Sequence, residues 1–279
     1  MLKISNFEVM GWEHAIRGMR NPMNSWEKSD SKVHTCECEQ WPHNIKKSFD
    51  EVGPNDLDLM KRLRNAGTDH RKFMRMITVY LDITAPLYWW KEFDTYKVGT
   101  VANSCSTMHK IAEKEFTLED FSYDHLIDYD LYSCNEVDGP VINEAPHISC
   151  GGIQLLNLTI NVLNYYRNKY LETNDKKYWW QMIQLLPSSY NQKRMVMLNY
   201  EVLANIYKSR RNHKLDEWHI FCDWIEELPY SEVITGYMSQ DCYENGNYDN
   251  ELYMGIDLAN GTDFTGSDSR LGKLSKTSL

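Results

Sequence analysis

Two stretches of this sequence carry residues that could do chemistry. The first runs Lys97, Thr100, Asn103, Ser104, Cys105, Ser106, Thr107 and His109, a series of polar side chains that follows aromatic residues at Trp89, Phe93 and Tyr96. Hydroxyls both donate and accept, and Gly99 among small neighbours lets backbone and side chains approach a phosphate or a base closely. An ordinary polar turn has the same composition, so two readings stand side by side here. Cys105 has no base placed beside it by sequence, and a lone thiol in that setting reads as unreactive.

The second stretch is a predicted helix over 196–211, on which Asn199, Leu203, Ile206, Arg210 and His213 fall along one face at helical spacing. Lys193, Arg194, Lys208, Arg210, Arg211 and Lys214 surround it, with Glu201 the one acid between 193 and 214. That is either a solvated basic face or an anion site. Arg210, in line with Leu203 and Ile206, is expected to be partly buried and therefore paired with a carboxylate, a phosphate or a ligand. A third cluster, His34, Cys36, Cys38 and His43 in HTCECEQWPH, has C-x-C rather than C-x-x-C spacing and reads as a surface loop, so no metal is expected.

The elements that must position these residues follow from periodicity. Ile77, Val79, Leu81 and Ile83 alternate, which predicts a half-buried strand. Pro86 then suits the first turn of a helix over about 86–97, with Trp89, Phe93 and Tyr96 on its core side. Thr117 to Asp120 resembles a capping box. Ile153, Leu156, Ile160, Leu163 and Tyr170 predict a long helix over about 153–172, Asp175 caps another that Pro187 closes, and 216–225 forms a further helix ending near Pro229. Residues 24–55 show no period and read as a long loop or insertion.

The expected class is α+β, with helices packed on a twisted, largely antiparallel sheet in a single domain over 1–240. From Asp241 on, five of the 14 glycines and seven acids against three bases describe an acidic, disordered tail over 241–279. The formal charge of −10 argues against a nucleic-acid or polybasic membrane surface. No segment approaches the roughly 20 apolar residues of a membrane helix, and the first residues lack a signal-peptide core. Seven cysteines, an odd and scattered number, read as reduced thiols, and the protein as cytoplasmic.

Several of these residues resemble the flavin-dependent thymidylate synthase family. Ile77 to Ile83 is similar to the family's strand, Ala85-Pro86 to its helix start, and 95–100 to its R-H-R-x-x-S signature, with Ser106 matching the second serine across one inserted residue. On the later helix Asn199, Asn205 and Arg210 match without a gap, His213 within one residue, and Leu186-Pro187 precedes them as in the family. The signature arginine and histidine are Thr95 and Tyr96 here, its last arginine is Lys97, and Glu201 replaces another arginine. The resemblance implies a homotetramer that methylates dUMP reductively with FAD, NADPH and methylenetetrahydrofolate. It further implies that Lys97, Thr100, Ser104, Ser106 and Arg210 hold dUMP, with Arg210 catalytic, and that Tyr96, Asn199, Asn205 and His213 face FAD. A homologue that keeps the nucleotide pocket but has lost flavin chemistry, or a purely structural oligomer, is the alternative expectation.

Overall fold

The computed structural model describes residues 2–37, 45–127, 151–236 and the short stretches 256–257 and 262–263. In chain order the elements are β1 (Lys3–Met10), α1 (Trp12–Arg20), β2 (Lys32–Glu37), β3 (Ile45–Glu51), α2 (Pro54–Asn65), β4 (Thr78–Pro86) and α3 (Leu87–Phe93). They continue with β5 (Val101–Ser104), α4 (Thr107–Lys110), α5 (Gly152–Thr173), α6 (Lys176–Leu185), β6 (Asn191–Asn199), α7 (Tyr200–Arg210), α8 (Asp216–Glu226), α9 (Glu232–Thr235), β7 (Ile256–Asp257) and β8 (Thr262–Asp263). They fall into two compact units, one from segments 1–10 and 78–229, the other from 11–77 and 230–279.

The first unit is built on a four-stranded, wholly antiparallel sheet in the order β1-β4-β6-β5. β4 forms where the alternation predicts it: Val79, Leu81 and Ile83 are buried, while Thr78, Tyr80 and Asp82 between them are half-exposed. Val196 and Leu198 of β6 are buried on the same principle, in register with Leu81 and Val79. Rings from α3 and α8 fill the core: Trp89 lies 5.0 Å from Phe93 and 4.8 Å from Trp218, and Phe7 of β1 meets Trp224 at 5.9 Å. A second cluster joins Leu156, Ile160 and Leu163 of α5 to Met182 of α6, Ile111, Phe116 and Phe121.

The class is therefore α+β, and several expected elements stand as read. α5 spans the expected helix, Asp175 caps α6 by accepting from the Lys177 N–H at 2.9 Å, and Thr117 with Asp120 forms a complete capping box. Others differ. The helix after Pro86 stops at Phe93: the next N–H groups, of Thr95 and Tyr96, bond three residues back to the Glu92 and Phe93 carbonyls at 3.1 and 3.0 Å, and Gly99 further on takes φ +77° and turns the chain away. The polar stretch after it is not a free loop: β5 lies inside it, paired with β6 from Val101↔Met197 to Ser104↔Arg194.

The helix expected from Val196 begins only at Tyr200. Residues 191–199 form β6, held between β4 and β5, and Asn199 ends the strand by capping α7, its Oδ1 accepting from the Val202 N–H at 3.1 Å.

The second unit corrects the reading of 24–55 as loop. β2 and β3 form an antiparallel hairpin there, and α2 starts at Pro54, in the first helical turn where proline is tolerated. Arg20 of α1 and Asp56 of α2 make a buried ion pair at 2.6 Å. The Ser31 hydroxyl donates to Asp56 at 2.5 Å, and the Ser29 hydroxyl at 2.6 Å. Cys36 lies in β2, whereas Cys38 and His43 lie outside the described residues, as does the expected tail apart from the paired β7 and β8. Among the described residues no helix is long and apolar enough to cross a membrane, and no group of three metal-ligating side chains occurs.

Candidate functional site

Arg210 closes α7 in the first unit, and its guanidinium is the centre of a half-buried cluster. Its Nε donates to the Tyr96 hydroxyl at 2.9 Å, and its Nη1 to Glu92 Oε2 at 2.6 Å. The same carboxylate oxygen accepts from the Trp218 indole N–H at 3.0 Å and lies 3.3 Å from His213 Nε2. The guanidinium carbon sits over the Trp218 ring, 4.9 Å from its centroid, and 5.6 Å from that of Tyr96. Arg210 is 18% exposed and Glu92 34%, so the pair is only partly screened by water.

The folding of this corner follows from local choices. Glu92 lies in the last turn of α3, between Trp89 and Phe93, which are buried in the core and fix the helix axis. The turn after α3 carries Tyr96 back toward α8, where its ring meets Trp218 at 6.1 Å. The short link between α7 and α8 places His213, whose Nδ1 accepts from the Leu215 N–H at 3.2 Å, which leaves Nε2 facing Glu92.

The expectation that Arg210 is partly buried and paired holds, and the partner is a carboxylate. Of the expected site residues, Tyr96, Arg210 and His213 come together. Asn199 is at the opposite end of α7, where Gly99 packs against it: a Cβ at Gly99 would lie 2.9 Å from Asn199 Nδ2 and 3.2 Å from Val202 Cγ2. Next to it the Thr100 hydroxyl oxygen is buried and makes no hydrogen bond among the described residues. Asn205 is exposed midway along α7, and Lys97 is exposed in the turn after α3.

Ser104 and Ser106 belong to a different locality. Ser104 stands opposite Arg194 in the β5–β6 ladder, and Arg194 is itself tied to Asp94 at 2.8 Å and set over the Trp90 ring at 4.1 Å. Ser106 caps α4, its Oγ accepting from the His109 N–H at 3.2 Å. It lines a cavity of about 290 Å³ with Cys105, Thr107, Lys110, Lys114 and Gln192. Lys110 pairs with Glu113 there, and Lys114 with Asp120. Among the described residues no hydrogen bond joins this cavity to Arg210, whose bonds go to Tyr96 and Glu92.

Glu92 and Trp218 are the residues sequence reasoning passed over. Both lie among aromatics that read as core. The available signal was the inference that a buried Arg210 needs a partner, together with the spacing of Glu92 four residues before Tyr96 on the helix predicted over 86–97.

No family model matches the chain, and no curated protein matches it by sequence. Among solved structures, thymidylate synthase X from Helicobacter pylori, crystallised with FAD and dUMP, is similar over 88% of this chain and 100% of its own, with a TM-score of 0.53 at 16% identity. A second structure of the flavin-dependent thymidylate synthase from Helicobacter pylori, complexed with FAD and dUMP, is similar over 83% of this chain and 96% of its own, with a TM-score of 0.52 at 15% identity. The chain thus has a fold of the flavin-dependent thymidylate synthase type.

Proposed function

We propose that this chain is a divergent flavin-dependent thymidylate synthase that binds dUMP and methylates it reductively, acting as a cytoplasmic homotetramer. The observation that carries the reading is the convergence of Tyr96, Arg210 and His213, from two separate stretches of the sequence, in one cluster on this fold. FAD, when bound, supplies a hydride drawn from NADPH, and methylenetetrahydrofolate supplies the one-carbon unit. The donor set suits the uncharged parts of a flavin: Asn199, Asn205 and His213 lie along and just beyond the eleven-residue α7, a span of about 16 Å. The buried Thr100 hydroxyl, without a hydrogen-bond partner among the described residues, supports a second place for a polar ligand atom. Arg210 would polarise the pyrimidine and stabilise charge that develops on it. Lys97, Thr100, Ser104 and Ser106 would hold the rest of the nucleotide, with Ser106 in the lining of the cavity that also takes in Lys110 and Lys114.

One observation favours a second reading, a nucleotide-binding homologue without flavin chemistry. Arg210 is already neutralised by Glu92, and the positions where the family carries arginine and histidine are Thr95 and Tyr96. One set of measurements separates the two. On the first reading the purified protein carries or takes up FAD, dUMP raises its melting temperature, and tritium is released from 5-labelled dUMP when methylenetetrahydrofolate and NADPH are added. Stabilisation by dUMP without flavin uptake supports the second reading. Absence of any dUMP effect overturns both.

A further inference from the structure

We infer that Glu92 is the specificity-determining residue of this site: it sets Arg210 for an uncharged base rather than for a phosphate and accepts a ring N–H from that base. The inference rests on the nucleotide reading above and concerns the same cluster.

The charge balance comes first. A half-buried arginine alone is a good phosphate partner. With a carboxylate 2.6 Å from Nη1, the local charge of the pair is zero, and a phosphate brought to Arg210 would face Glu92 as a like charge. A neutral polar group meets no such repulsion.

The pattern of hydrogen bonds then selects the kind of neutral group. Glu92 accepts from Arg210 and Trp218 on Oε2, which is also the oxygen that lies 3.3 Å from His213, and Oε1 accepts no hydrogen bond among the described residues. Arg210 in turn uses Nε on Tyr96 and Nη1 on Glu92, so that Nη2 takes part in neither. The cluster thus presents a donor, Nη2, and an acceptor, Oε1, on neighbouring side chains. An edge with a carbonyl next to an N–H is complementary to that pair, as in the imide of uracil. Cytosine offers a lone pair at N3, which sets acceptor against acceptor when the base lies in the register of uracil; its amino group reaches Oε1 only if the ring shifts along its edge. The two donors on Oε2, from Arg210 and Trp218, also hold the carboxylate in place, so that the pattern is built in advance of binding.

The test is calorimetric titration of dUMP, 3-methyl-dUMP and dCMP into the wild type, Glu92→Gln and Glu92→Ala, with circular dichroism to show that each variant is folded. The wild type should bind dUMP at least about tenfold more tightly than either analogue, because an unpaired buried acceptor weakens binding by that order. Glu92→Ala should bind dUMP more weakly and lose the preference. Glu92→Gln keeps the shape of the site and can donate as well as accept, so dUMP and dCMP should bind it within about threefold of each other. Retention of the wild-type preference in both variants overturns the role of Glu92, as does a wild type that binds dUMP and 3-methyl-dUMP equally. A wild type that binds no dUMP at all overturns the nucleotide reading and this inference with it.

Discussion

Gly99 and Asn199 show how little room a single atom leaves at this site. The glycine adopts φ +77°, and an added Cβ would press on the Asn199 side chain that caps α7. Gly99→Ala is therefore expected to destabilise the first unit by about 1–3 kcal/mol, through backbone strain and displacement of the cap. Urea unfolding followed by fluorescence checks this, and a change within about 0.3 kcal/mol would show that the turn relaxes freely. The two described free cysteines should differ just as sharply. Burial pushes the Cys222 thiol up to about 12, with Asp223 and Glu226 adding to the effect and Arg211 opposing it, whereas Cys105 is exposed. Iodoacetamide at pH 8 should label Cys105 in the native protein and reach Cys222 only after unfolding, as read by peptide mass spectrometry.

At the scale of elements, legibility followed the strength of the period. β4 could be read because Ile77 to Ile83 alternate and both neighbours of the strand are in the same sheet. α5 could be read because its apolar residues keep helical spacing over 22 residues. β6 could not, since Val196 and Leu198 also fit the apolar side of a helix that does exist but begins only at Tyr200, and only the pairing with β4 and β5 decides between the two periods. The hairpin β2–β3 and the edge strand β5 are short and polar, and their ladder bonds come from partners that sequence spacing does not identify. The same limit applies to the site: Arg210 was legible as a buried cation, but its partner Glu92 is 118 residues away. The cap that separates β6 from α7 gives the test at this scale. Asn199→Ala should cost about 1 kcal/mol, while Asn199→Ser or Asn199→Asp should retain most of it. Equal loss in all three would mean that the amide acts through Gly99 rather than as a cap.

For the molecule as a whole, acid is the condition that should distinguish its parts. Burial by itself would push the Asp56 carboxyl up, but the hydroxyls of Ser29 and Ser31 and the guanidinium of Arg20 together hold it below the ordinary value of 3.8. A carboxyl whose folded value lies below its unfolded one binds protons more readily in the unfolded chain. Its contribution is then complete above about pH 4 and is lost as pH falls through the folded value. Asp82, in the first unit, is also held low, by hydrogen bonds from Asn6 and Lys193, but it is half-exposed and paired with an exposed lysine, so its contribution is partly screened. Acid between about pH 4 and pH 2 should therefore weaken the second unit more steeply than the first. Hydrogen exchange read on peptides from α1 and α2, against peptides from β4 and β6, measures that difference directly. Asp56→Asn should destabilise the second unit at pH 7 by about 3–5 kcal/mol, because Arg20 is left buried without its counter-charge. It should also flatten the acid dependence of α1 and α2 relative to the wild type. An unchanged slope in that variant would place the acid sensitivity in other carboxyls and remove Asp56 as its source.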